Sequence, residues 1–292
     1  MDLFLDALLD ACIDTVKLVP FLFVTYLLME ILERHTSDKQ VHMMTEVGKF
    51  GPLIGSAVGA VPQCGFSAAA SSLYSGGLIS VGTLIAVFAS TSDEMLPIFI
   101  SEQVPVAKMA AIVVTKAVLG MISGFGIDFI VRHTRYYKKS EKHIRDICER
   151  EHCGSAEDEH TNVFVAALKH TLQIVVFVFI LTVILTLIVE NFGKEAVASV
   201  IAGSPILGVF LSTLIGLIPN CAASVLITQL YIEGLMSAGQ MIAGLLVGAG
   251  VGLMVLFRTN RNHMKENIVI TIMLYIVGVF WGLIFEGLHI TF

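Results

Sequence analysis

Apolar runs separated by short polar stretches fill most of this chain, and their lengths alternate between enough and too little to cross a bilayer. Cys12 to Leu32 is apolar with Pro20 inside it, close to the ~20 residues that a spanning helix needs. The proline is tolerable where neighbours re-satisfy the backbone. Ahead of it Asp2, Asp6, Asp10 and Asp14 recur every fourth residue and predict a solvated face of an interfacial helix. A polar stretch, Glu33 to Glu46, follows. Gly48 to Val61 is apolar but, at ~1.5 Å per residue, covers about two-thirds of the hydrocarbon core. Pro62 interrupts it, and Gln63 to Gly76 is a second short piece rich in Ala and Ser. Two half-length helices meeting at a proline predict a re-entrant hairpin or two short, tilted spans. Leu78 to Ile100 is long enough to cross and is interrupted by Ser90-Thr91-Ser92-Asp93-Glu94. Val106 to Val131 predicts another span, with Gly120, Gly124 and Gly126 at spacings that let helices approach closely. Lys108 and Asp128 are expected near its ends; Lys116 lies deeper, where a lysine snorkels or pairs.

The second half repeats the scheme. Val163 to Val189 predicts a span, Ala196 to Ile218 and Pro219 to Ile232 a second broken pair, Leu235 to Phe257 a span, and Asn267 to His289 the last. The match is also literal. Val61-Pro62-Gln63-Cys64-Gly65-Phe66-Ser67 returns as Ile218-Pro219-Asn220-Cys221-Ala222-Ala223-Ser224, with Pro219 following Pro62 by 157 positions. In the same register Leu73-Tyr74 meets Leu230-Tyr231, Gly77-Leu78 meets Gly234-Leu235, Ser80 meets Ser237 and Gly82 meets Gly239; upstream, Gly51 meets Gly208 and Gly59 meets Gly216. The acidic run has no copy: Asp93 and Glu94 align with Gly250 and Val251. An internal repeat with interrupted apolar segments at matching places points to a transporter and to its binding site.

Composition agrees with the pattern. Of 292 residues 55% are hydrophobic and 14% charged, against about 25% charged in soluble domains. The fold class expected is an all-α polytopic membrane protein built from two inverted repeats with broken or re-entrant helix pairs. Its parts are a first membrane repeat (1–131), a His- and Cys-containing linker (132–161) and a second membrane repeat (162–292). The linker opens with Arg132, Arg135, Lys138, Lys139, Lys142, Arg145 and Arg150, a density expected on the cytoplasmic side. If each half crosses an odd number of times, both termini lie outside. The stretch with Arg34 and Lys39 and the basic loop Arg258, Arg261 and Lys265 then fall inside with the linker, as the positive-inside rule asks. The acidic N-terminus does not read as a signal peptide, and five cysteines, two of them in broken helices, do not read as a disulfide framework. No nucleic-acid surface is expected.

The candidate chemistry sits at the breaks. Inverted repeats bring equivalent breaks together near mid-membrane. That makes Pro62, Gln63, Cys64, Ser67, Pro219, Asn220, Cys221 and Ser224 candidates for substrate binding, with Ser90, Thr91 and Ser92 beside them. Thiolates are soft ligands suited to soft metals, and the Gln63 and Asn220 amides offer groups that replace hydration. Half-helix N-termini favour anions instead, and a buried cysteine serves equally well as a small hydrophobe. Asp93 and Glu94 are candidates for proton coupling, because a desolvated carboxylate holds its proton nearer to neutral pH. Cys148, His152, Cys153 and His160 have metal-ligand chemistry, without the paired spacing of a structural zinc module. No His-Glu-x-x-His, no nucleophile with its base and no nucleotide-binding loop occurs. A cofactor-free protein that is not an enzyme, driven by an ion gradient rather than ATP, is therefore expected.

Val61-Pro62-Gln63-Cys64-Gly65-Phe66-Ser67, the Ser90–Glu94 run, Ile218-Pro219-Asn220-Cys221 and the His/Cys linker together resemble the heavy-metal exporter family with about ten predicted helices. That family is related by name to the arsenic efflux permeases, and manganese has been proposed for it as well. The resemblance implies secondary transport of a metal or metalloid out of the cytoplasm, in a multi-pass protein of the cell membrane. Its partners would be lipid, the metal or metalloid substrate, protons and, where the protein assembles, further copies of itself. The competing reading is a transporter of manganese, or of a small organic solute or anion, with Cys64 and Cys221 as packing residues.

Overall fold

The computed structural model of the protein describes residues 50–62, 64–92, 95–133, 205–219 and 221–292, with scattered helical positions between 12 and 27 and between 164 and 183; for Cys64, Arg132, Cys221 and Ala222 it describes the backbone alone. Every regular element among these residues is helical. The first repeat contributes α1 (Gly51–Gly59), α2 (Cys64–Ser75), α3 (Val81–Ser90), α4 (Met95–Ser101) and α5 (Val106–His133). The second contributes α6 (Pro205–Gly216), α7 (Cys221–Ile232), α8 (Ala238–Val247), α9 (Val251–Thr259), a 3-10 turn (Arg261–His263) and α10 (Met264–Gly287).

The same local chemistry stops and starts the helices in both repeats. α2 ends on Gly77 at φ 75° and α7 on Gly234 at φ 74°, a left-handed conformation that glycine adopts without a Cβ penalty. Leu78 N–H then bonds back to Leu73 O and Leu235 N–H to Leu230 O, both at 2.9 Å. Serine caps the next helix: Ser80 Oγ accepts from Thr83 N and Ser237 Oγ from Gln240 N, both at 3.1 Å. In the second repeat Gln240 Oε1 also accepts from Ser237 N at 3.0 Å, completing a capping box. A carboxylate from the long helix completes each cap. Asp128 accepts from Ser80 Oγ (2.7 Å) and from Gly82 N (2.9 Å), and Glu286 accepts from Ser237 Oγ (2.6 Å).

Asp128 and Glu286 stand 158 positions apart, not 157. The second repeat has therefore gained one residue ahead of α10. Glycine contacts fix the new register. A Cβ on Gly124 would meet Gly82 O, Ala86 Cβ and Pro52 Cβ; one on Gly282 would meet Gly239 O, Ala243 Cβ and Val209 Cγ1. Those three partners are equivalent pairs in the original register. So α5 and α10 lie in corresponding grooves, close-packed through small residues.

Packing between elements follows the same correspondence. α3 packs on α1 and α5, as α8 packs on α6 and α10. The short helices are exchanged: α2 packs on α9 of the other repeat, and α7 packs on α4. α3 touches its own equivalent α8, and Trp281 Nε1 donates to Ser123 Oγ at 2.9 Å between equivalent positions of α10 and α5. Each repeat thus packs its short helix on the other.

Four segments among the described residues are long and apolar enough to cross a membrane: Val81–Ser101, Val106–Val131, Ala238–Thr259 and Arg261–Gly287. The first and third are 75% and 89% buried, the second and fourth 33% and 28%, which makes α3/α4 and α8/α9 the inner layer and α5 and α10 the outer. The outer helices turn apolar stripes outward, Val114, Val118, Ile122 and Phe129 on α5 and Ile268, Ile272, Ile276 and Phe280 on α10. Lipid is the solvent that suits such a surface.

The expected Leu235 to Phe257 span is present as Ala238–Thr259, but its helix is interrupted: Gly248-Ala249-Gly250 breaks it, with Gly250 at φ 51° and ψ −135°, a region open to glycine and strained for other residues. The second long span is thus broken where the first is, without any acidic run. The basic stretch after it is a tight turn more than a loop. Arg258 belongs to α9 and Lys265 to α10, and the turn is pinned by buried Asn260 and Asn267, whose side chains bond at 2.6 Å.

Asp128→Ala is expected to lower the thermal midpoint of the purified protein. It leaves Ser80 Oγ and the buried Gly82 N–H without their acceptor, at a cost of about 1–3 kcal/mol. Glu286→Ala should act in the same direction by less, because it strands one donor. An unchanged melting curve for Asp128→Ala in detergent would refute the cap assignment.

Candidate functional site

The first break lies in the inner layer. α3 ends at Ser90, and Thr91 at φ −54° and ψ 128° turns the chain out of the helix. Ser90, Thr91 and Ser92 are all buried, at 3% exposure or less. Their hydroxyls bond the preceding turn: Ser90 Oγ to Ala86 O (2.7 Å), Thr91 Oγ1 to Val87 O (2.8 Å) and Ser92 Oγ to Ser90 O (2.9 Å). Lys116 reaches the same place from α5. It is 1% exposed, and its ammonium donates to Thr91 O.

The second break is backed on both sides by the half-length helices. A Cβ on Gly252 would come within 2.8 Å of Ser67 Cβ and of Phe88 Cε1, so the N-terminal turn of α2 lies directly against the start of α9. Ser71 Oγ donates to Gly252 O at 2.6 Å. On the other side, a Cβ on Gly248 would lie 3.2 Å from Ser224 Oγ, in the N-terminal turn of α7. The break therefore sits between the first turns of α2 and α7, the turns that Cys64 and Cys221 begin. Helix N-termini carry partial positive charge, and those of α2 and α9 lie side by side here.

Farther along, α2 is stitched to the second repeat. Ser75 Oγ bonds Thr259 Oγ1 at 2.7 Å, and Tyr74 OH donates to the Glu266 carboxylate. The equivalent tyrosine, Tyr231, instead receives Lys108, whose Nζ stands 4.9 Å above the ring centroid. Beside it opens a cavity of about 290 Å³ lined by Lys108, Tyr231, Ser237, Glu286 and His289.

Of the residues expected to bind substrate, Ser67 lies against Gly252 and Ser224 against Gly248 at the two sides of one break, and Ser90, Thr91 and Ser92 form the other. Pro62 is exposed and Pro219 half-buried, both at the turns ahead of the short helices. Gln63, Asp93, Glu94, Asn220, Cys148, His152, Cys153 and His160 lie outside the described residues. Among the described residues no group of three or more His, Cys, Asp or Glu is arranged to hold a metal ion. Sequence reasoning placed Lys116 deep but did not place it at the break, and it passed over Gly248, Gly250 and Gly252. The alternation Gly-Ala-Gly-Val-Gly in an apolar run was the available signal.

Long apolar helices wrapped around two buried helix breaks define a polytopic helical membrane protein. The chain belongs to the family described as "Putative, 10TM heavy-metal exporter", whose model matches residues 1–171. That range covers the first repeat, the linker and the start of the second repeat. No match was found among curated proteins or among solved structures.

Proposed function

We propose that this protein exports a heavy metal or metalloid across the cytoplasmic membrane as a proton-coupled secondary transporter. The observation that carries the reading is the second break, Gly248 to Gly252, held between Ser67 of α2 and Ser224 of α7. Equivalent half-helices from the two repeats thereby reach one buried place, as a shared substrate site requires. Cys64 and Cys221 begin those half-helices and supply soft ligands; Gln63, Asn220 and the hydroxyls of Ser67, Ser224, Ser90, Thr91 and Ser92 supply hard ones. Pro62 and Pro219 stand just ahead of those helices, where each interrupts the apolar segment.

The halves are inverted in this reading, with the 132–161 linker in the cytoplasm and both termini outside. The charge distribution supports it: Arg258, Arg261 and Lys265 cluster where the last two spans meet, and the positive-inside rule puts such a cluster on the linker's side. Cys148, His152, Cys153 and His160 would gather substrate there before export. Asp93 and Glu94 follow the first break in the chain, where a carboxylate at membrane depth is costly unless used, and carry the proton inward.

The test is flux in proteoliposomes under an imposed pH gradient, with arsenite, Mn2+ and an organic arsenical as probes. Asp93→Asn is expected to lose gradient-driven flux by about tenfold or more while equilibrium binding of the transported probe persists. Gradient-driven flux at the wild-type rate in Asp93→Asn would remove that carboxylate from the proton path. Transport of organic solutes alone would favour a solute carrier with structural cysteines.

A further inference from the structure

We infer that Lys116 is a positioning residue of the transport site, holding the first break open through the Thr91 carbonyl. The inference rests on the reading of the breaks as the transport site. Its ground is a comparison that the repeat makes possible. Gly120 packs against Ala86 O and Ser90 N, and Gly278 against Ala243 O and Val247 Cγ1, so α5 and α10 correspond with a spacing of 158. Lys116 then corresponds to Leu274, which is fully buried in the apolar core. The same place in the same packing is thus filled by a leucine. Packing alone does not call for a lysine, and a buried ammonium is costly in an apolar interior.

The difference lies in what each break needs. At the second break the backbone meets two of the carbonyls: Ala249 N–H bonds Val247 O at 2.7 Å and Gly252 N–H bonds Ala249 O at 3.0 Å. Gly250 supplies the turn with its positive φ. The first break has no glycine. Thr91 at ψ 128° swings its carbonyl out of the helical direction while staying 3% exposed, and a buried carbonyl must find a donor. Lys116 provides it from the neighbouring long helix. The side chain therefore supplies at the first break a donor that Leu274 cannot supply at the second. It fixes the course of residues 90–92, the polar lining of the inner layer, against winding on into α4.

The test uses the full-length protein in lipid nanodiscs. Lys116→Leu installs the residue of the second repeat, and Lys116→Arg retains a charged donor. Hydrogen exchange of peptides covering 88–95 should speed up about tenfold in Lys116→Leu, with peptides covering 247–252 unchanged. In proteoliposomes the KM for the transported probe, arsenite or Mn2+, should rise about tenfold with the maximal rate within about twofold. Lys116→Arg should recover both. Wild-type exchange in Lys116→Leu overturns the proposal, as does faster exchange with wild-type transport, which leaves only a structural role. If no variant yields folded protein, Lys116 is a folding residue and the proposal fails. If wild type carries neither probe, the exporter reading fails separately, and the exchange comparison alone decides whether Lys116 holds the break.

Discussion

Serine at both Cys64 and Cys221 is expected to weaken transport of a soft ion such as arsenite by roughly 10–100-fold while leaving Mn2+ within about twofold. The prediction follows from placement and ligand chemistry together. Each cysteine begins a half-helix whose first turn reaches the second break, as the contacts of Ser67 and Ser224 establish. A serine keeps the size and a polar head but loses the thiolate, which soft ions prefer and hard ions do not. The effect should appear in apparent affinity before maximal rate, because the substitution removes ligands and leaves the helices in place. Each single variant should fall between wild type and the double variant. Flux measured in proteoliposomes under saturating and limiting arsenite decides it. Equal transport by the double variant and wild type would make both cysteines packing residues and move the weight to the hydroxyls.

Much of the architecture was legible because it is written in apolar length. The short pair on either side of Pro62 and its copy around Pro219 appear as α1/α2 and α6/α7, and the break after Ser90 is where the polar run put it. Pattern reading failed where structure depends on missing side chains. Gly248-Ala249-Gly250 adds no polarity to an apolar run, so the second break was invisible to hydropathy; the clustered glycines hint at it and the φ of Gly250 reveals it. The gained residue ahead of α10 was hidden for a related reason. Pro62, Cys64 and Tyr74 anchor the repeat by identity, whereas Asp128 and Glu286 share a role without sharing a residue type. Lys116 shows the third limit. Its depth was evident, but one group it bonds is a backbone carbonyl, and no residue type announces that.

The repeat also shows where the two halves have diverged, and the divergence has a direction. Polar and charged groups at the first break, Ser90 to Ser92 and Lys116, face apolar or glycine counterparts at the second, Val247 to Ala249 and Leu274. The two tyrosine contacts differ in the same spirit: Tyr74 meets the acidic Glu266 and Tyr231 the basic Lys108. A duplicated scaffold has kept its caps and glycine grooves, which packing fixes, and has diverged in the polar groups at the two breaks.

Gly252→Val is expected to abolish transport by any substrate, and Gly252→Ala to impair it severely. An ideal Cβ there would lie 2.8 Å from Ser67 Cβ, 2.8 Å from Phe88 Cε1 and 2.9 Å from the Ser67 carbonyl carbon. Two of those atoms belong to or adjoin backbone and cannot rotate away. Relief requires α2 to move off α9, which breaks the 2.6 Å bond from Ser71 Oγ to Gly252 O and opens the seam along which the repeats exchange their short helices. Overpacking of this kind costs about 1–3 kcal/mol, enough to lower the thermal midpoint without necessarily unfolding the chain. Transport should suffer more than stability, because the displaced turn is the one that Cys64 begins. Gly126→Ala is the control: a Cβ there meets nothing within 4 Å, and both stability and flux should match wild type. Wild-type flux in Gly252→Val would show that the seam between α2 and α9 is not part of the transport site, whatever the fate of the cysteines.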